Sequence, residues 1–101
     1  MNMTISETLE YELKKYVGGA LPAHAATDLH AALALAEILE SKGFAFHLKD
    51  LCPGSRDQTR WQAVFFKQGD EFTADHPDAP AAVCTAAIGA LSSLETTASL
   101  N

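Results

Sequence analysis

Phe44 to Leu51 reads FAFHLKDL, and Arg60 to Lys67 reads RWQAVFFK. In the first stretch Phe44, Phe46 and Leu48 alternate with Ala45, His47 and Lys49. That period of two belongs to a strand with one buried face. The second stretch carries bulk on both sides, with Trp61, Ala63 and Phe65 on one and Val64 and Phe66 on the other. A strand that is apolar on both faces is central or is covered twice. Either helices cover both sides of the sheet, or a second protomer covers one. Between the strands, Cys52 to Thr59 (CPGSRDQT) is a polar, turn-rich loop.

The flanking segments are helical. Thr4-Ile5-Ser6-Glu7 fits a capping box. Ile5, Leu9, Leu13, Tyr16 and Val17 follow at helical spacing, and Glu10 and Lys14 form a favourable i,i+4 pair. Gly18-Gly19 stops this helix. A second helix is predicted over Thr27 to Ser41. Its inner face is Leu29, Ala32, Leu33, Ala36 and Leu39, Asp28 favours its dipole, and Gly43 follows its end. After the second strand, Gln68-Gly69-Asp70 turns the chain, and Glu71 to Ala74 is a short third strand. Asp78 caps the last helix and Pro80 sits in its tolerant first turn. Val83, Cys84, Ala87, Ile88, Leu91 and Leu94 make its apolar stripe, and Thr85, Gly89 and Ser92 a face of small residues. The expected order is α-α-β-β-(β)-α: a single α+β domain over residues 1–101, ordered from 4 to 95, with a small antiparallel sheet packed by helices.

Several of these segments resemble the phage ABA sandwich domain, a family of small proteins from tailed phages and prophages. They are Thr27-Asp28-Leu29-His30-Ala31-Ala32-Leu33, the Trp61-x-Ala-Val-Phe strand, and Asp75 to Leu91, DHPDAPAAVCTAAIGAL. Within the last, Ala82-Val83-Cys84-Thr85-Ala86-Ala87 is similar to the family's A-I-C-x-A-A. The resemblance covers Ala23 to Leu94. Ala26 stands where the family has a capping Ser, His76-Pro77-Asp78 replaces a shorter D-T, and the first helix has no counterpart. The resemblance implies a sheet sandwiched by helices and a phage setting. The family has no assigned activity, so it implies no site residue.

Composition narrows the function classes. The 101 residues are 48% hydrophobic and 20% charged, which suits one globular core and not a disordered chain. A formal charge of −6 argues against direct binding of nucleic acid, which requires a basic patch. No basic-then-apolar leader opens the sequence, and no apolar run reaches membrane-spanning length. The expected location is the bacterial host cytoplasm. Cys52 and Cys84 have neither zinc nor redox spacing, and Cys84 falls on an apolar helix face.

No residue pattern points to catalysis, a metal or a cofactor. His24 and His30 stand at i,i+6, unlike the i,i+3 or i,i+4 pairs that hold metals on helices. His76 with Asp75 and Asp78 reads as a polar turn and helix cap rather than an acid–base cluster. The binding candidates are of two kinds. Asp70, Glu71, Asp75 and Asp78 form an acidic run at one end of the molecule, and Arg56 and Arg60 bracket the hairpin loop. These suit contact with a host bacterial protein. Val64, Phe66, Thr85, Gly89 and Ser92 suit self-association as a homodimer. The leading expectation is a non-enzymatic phage protein that occupies a host protein, in its sharpest form an inhibitor of host defence of the anti-CRISPR kind. The alternatives are a self-associating structural or accessory phage protein, and a binder of a small molecule or signalling nucleotide lined by His47, Lys49 and Arg60.

Overall fold

The computed structural model of the protein describes residues 4–54 and 58–100, with side chains as far as Leu94. Helix α1 spans Ile5–Val17. Thr4 Oγ1 accepts from the Glu7 N–H and Glu7 Oε1 from the Thr4 N–H, each at 3.1 Å, completing the capping box. Gly18, at φ +57°, ends the helix where a side chain would be strained, and a 3-10 turn over Gly18–Ala20 follows. The expected Glu10–Lys14 pair gives way to a longer-range contact. Glu10 Oε2 accepts from the Ala26 N–H at 3.2 Å, tying α1 to the approach of the next helix, and Lys15 pairs instead with Glu12 at 3.1 Å.

Helix α2 spans Leu29–Ser41, starting later than the sequence suggested. The carbonyl of His24 accepts from the N–H groups of Thr27 and Asp28, closing a turn, and His24 itself holds φ +62°. Asp28 is the cap, its Oδ1 accepting from the His30 N–H at 3.0 Å. The inner face also differs from expectation. Ala31, Ala32, Leu35, Ala36 and Leu39 are buried, whereas Leu29 and Leu33 are 37% and 40% exposed. LHAALALAEIL is apolar nearly all round, so its period does not select a face. Packing against both β1 and the last helix selects it instead.

Strands β1 (Ala45–Asp50), β2 (Trp61–Lys67) and β3 (Asp70–His76) form one antiparallel sheet in that spatial order. β3 extends past the expected Glu71 to Ala74 at both ends. Gln68 and Gly69, at φ +50° and +90°, make the two-residue turn whose twist suits a tight hairpin. The chain is thus an α+β globule in the order α-α-β-β-β-α. No described helix is long and apolar enough to cross a membrane.

Helix α3 spans Ala79–Leu100 and lies across β2 and β3 while also touching α1 and α2. With neighbours on several sides, Ala82, Val83, Cys84, Ala86, Ala87, Ala90 and Leu91 are all buried. Its lack of charge from Ala79 to Leu94 follows from this central place, because a helix apolar all round is a core helix. Phe65, Leu13, Leu35, Leu39, Val83 and Cys84 are the largest fully buried side chains. Phe44 meets Phe65 and Phe72 edge-on at 6.4 and 6.2 Å between ring centres.

All of this core lies on one face of the sheet. Phe46, Leu48, Ala63, Phe65, Phe72 and Ala74 belong to it or pack against it. The alternate residues do not. Ala45, His47 and Lys49, then Gln62, Val64 and Phe66, then Glu71, Thr73 and Asp75, are half-buried or exposed and lie outside the core cluster. Among the described residues the sheet therefore has helices on one side only. The arrangement is two-layered, and differs from the helix–sheet–helix sandwich that the family resemblance implied.

Candidate functional site: the uncovered sheet face

The strand register places the nine outer residues in a grid. Lys49, Gln62 and Asp75 form one row, His47, Val64 and Thr73 the next, and Ala45, Phe66 and Glu71 the third. Alternation along each strand sends these side chains away from the helices. The middle column holds the apolar centre, Val64 and Phe66, each half-buried by its neighbours alone. The His47 ring stacks on Phe66 with 5.8 Å between centres and 8° between planes. Gln62 Nε2 donates to Asp75 Oδ1 at 3.2 Å, and the half-exposed Arg60 brings Nε to 4.0 Å from Asp75 Oδ2. The face is consequently divided by charge. Its β1 border carries Lys49 and its β3 border carries Glu71 and Asp75.

The acidic residues are not gathered at one end, as the sequence reading had them. Extended backbone separates Asp70, at the hairpin turn, from Asp75 by roughly 17 Å, and Asp78 lies beyond it at the start of α3. Glu71 and Asp75 share the outer face of β3, whereas Asp70 and Asp78 mark the two ends of that edge. Lys67, the register partner of Asp70, does not neutralise it. Its Nζ donates to the Lys42 carbonyl at 2.9 Å and lies over the Phe44 ring. Charge on an edge strand also protects it from pairing with other strands. Arg56 lies outside the described residues.

The proposed self-association residues separate into two groups. Val64 and Phe66 point away from α3, and Thr85, Gly89 and Ser92 belong to α3, so the sheet lies between them. Thr85 bonds its own helix, Oγ1 donating to the Ala81 carbonyl at 2.8 Å. A Cβ on Gly89 would stand 3.8 Å from the Phe72 ring, ordinary contact that requires no glycine. The small-residue stripe is therefore the solvent edge of a core helix.

Two hollows bear on the remaining readings. A cleft of ≈ 330 Å³ lies where Ser6 of α1, Thr27 before α2, and His76, Asp78 and Pro80 before and within α3 come together. His76 Nδ1 accepts from the Asp78 N–H at 3.0 Å and so serves a turn. The Asp78 carboxylate, at 4.0 Å, becomes its ion partner only if the ring is protonated. Arg60 lines a separate hollow with Cys52, Gln58, Thr59 and Pro77, while His47 and Lys49 stand on the open face. The three residues suggested for a small-molecule pocket do not share one cavity.

Both cysteines are free thiols. Burial pushes the Cys84 thiol up to about 12, with the nearby Glu10 carboxylate adding to the shift, so it carries no thiolate near neutrality. No group of three or more described His, Cys, Asp or Glu side chains could hold a metal ion.

No family model, curated protein or solved structure matches the chain. The resemblance to the phage sandwich domain rests on the motifs quoted for it. Lys49, His47, Gln62 and Thr73 join the face without having been singled out as association residues. The alternation in β1, combined with the register that a Gln68-Gly69 hairpin imposes, was the signal that could have found them.

Proposed function

We propose that this chain is a non-enzymatic binding protein of a phage or prophage, acting in the bacterial cytoplasm by occupying a host protein. The observation that carries the binding role is the uncovered sheet face, with Val64 and Phe66 at its centre and ionisable groups on its borders. An apolar centre with a polar rim is the anatomy of a protein-contact surface. The carboxylates along β3 suit a partner with a basic surface, and would favour rapid encounter and partner choice more than tight binding. The phage setting comes from the family resemblance alone, and inhibition of a host defence system is its sharpest form.

The test is to express the protein in bacteria carrying defined, active defence systems and to challenge them with sensitive phage. The proposal expects plating to rise against at least one system, and to fall back when Val64→Lys is introduced. No protection against any system removes the defence reading.

A self-associating reading is favoured by a different observation, the division of the face into a basic and an acidic border. It is compatible with the first. A dimer formed on the face leaves the outer edge of β3, with Asp70 and Asp78, open to a host protein.

A further inference from the structure

We infer that the uncovered face is occupied by a second copy of this chain, about a two-fold axis running parallel to β2. The inference rests on the reading of that face as a contact surface, and in the dimer the outer edge of β3 is what remains for a host protein. Two facing sheets related by a two-fold axis have two simple arrangements. An axis across the strands, through the middle row, places β1 over the partner's β1 with the rows reversed, so that Asp75 faces a partner's Glu71 and Lys49 only a partner's Ala45. An axis along the strands places β1 over the partner's β3 at unchanged height. The row Lys49–Gln62–Asp75 then meets itself reversed, and each Lys49 faces a partner's Asp75. Val64 and Phe66, on the middle strand, fall on the axis and meet their own copies.

Charge selects the second arrangement, because like charges in facing positions are costly and opposite ones fix register. The stacking distance also fits. Facing sheets pack ~10 Å apart, within the combined reach of a Lys and an Asp side chain, and a twist of about −30° between them displaces the peripheral pair by less than a lysine's length. Lys49 is exposed and has no ion pair within its own chain among the described residues. The interface is isologous, so every contact off the axis occurs twice.

The face is small. Three strands of six to seven residues offer a face of roughly 14 by 20 Å, well under the ~800 Å² that each partner of a standard complex buries. The dimer is therefore weak and concentration-dependent, with half-association at tens to hundreds of micromolar by order of magnitude.

The experiment is sedimentation equilibrium across that concentration range on the intact chain and three variants, with circular dichroism to confirm that each is folded. The wild type should pass from monomer to dimer. Val64→Lys should remain monomeric. Lys49→Glu and Asp75→Lys should each weaken self-association about tenfold or more, yet an equimolar mixture of the two should recover dimer, because each then presents the charge that the other lacks. A wild type that stays monomeric throughout overturns the dimer, and leaves the face to the plating assay with Val64→Lys. A dimer indifferent to Val64→Lys overturns the face as well. A dimer lost in Val64→Lys but not rescued by mixing overturns the axis along the strands.

Discussion

At the scale of single residues, neighbours in β2 have opposite duties. Phe65 is fully buried, whereas Val64 and Phe66 project from the other face and are covered only by their neighbours. Phe65→Ala should cost ~3–5 kcal/mol in urea unfolding, from lost transfer energy and the cavity left behind. Val64→Thr and Phe66→Tyr should each stay within about 1 kcal/mol of wild type. Cys84 gives a pH signature. Burial raises its folded pKa to about 12 from the ordinary thiol value of 9.0. Below pH 9 both states hold the proton and stability is unaffected. Above it the unfolded thiol ionises first, so stability should fall with a slope approaching ~1.4 kcal/mol per pH unit until the folded pKa is reached. Urea midpoints of wild type against Cys84→Ala from neutral pH upward should diverge in that direction. A constant difference would mean that the thiol ionises as easily folded as unfolded. This thiol was legible in the sequence as a core group, because Cys84 sits among alanines on an apolar stripe. Arg60 was legible as a surface group, but its approach to Asp75 was not, since it depends on cross-strand register.

At the scale of elements, periodicity succeeded where one face of a segment differs chemically from the other. The first helix declares its start through Thr4 and Glu7, and both hydrogen bonds of the box are present. Thr4→Ala should lower stability by about 1 kcal/mol, read by thermal or urea unfolding. Periodicity failed in α2, whose leucines and alanines surround it, so that only packing against β1 and α3 decides that Leu35 is inside and Leu33 outside. It also misled in α3. A run of small and apolar residues suggested a sticky surface, yet the helix lies at the centre of the fold and only a narrow stripe meets solvent. Ala87→Glu should therefore prevent folding, because a carboxylate would be buried without a partner, whereas Thr85→Glu should change stability by no more than ~0.5 kcal/mol. Equal effects at the two positions, measured by circular dichroism and urea unfolding, would contradict the central placement of α3.

At the scale of the whole molecule, three helices crowd one side of a three-stranded sheet and leave the other bare. The sequence carried half of this. Bulk on both faces of β2 required cover on both, but nothing in one chain's pattern says whether that cover is a helix, a host protein or a second copy. The acidic run was legible as a composition, while its dispersal along an edge strand was not, because adjacency in sequence becomes distance in an extended chain. The face itself emerged only when register aligned Lys49, Gln62 and Asp75. Its role as the working surface is tested most directly by following backbone amide resonances as the protein is concentrated from about ten micromolar towards the millimolar range, where a weak interface fills. Concentration-dependent shifts should gather on His47, Lys49, Val64, Phe66 and Thr73. Shifts gathered instead on Thr85 and Gly89 of α3, or on Ser6 and Thr27 at the cleft, would place association elsewhere and contradict the reading of the uncovered sheet.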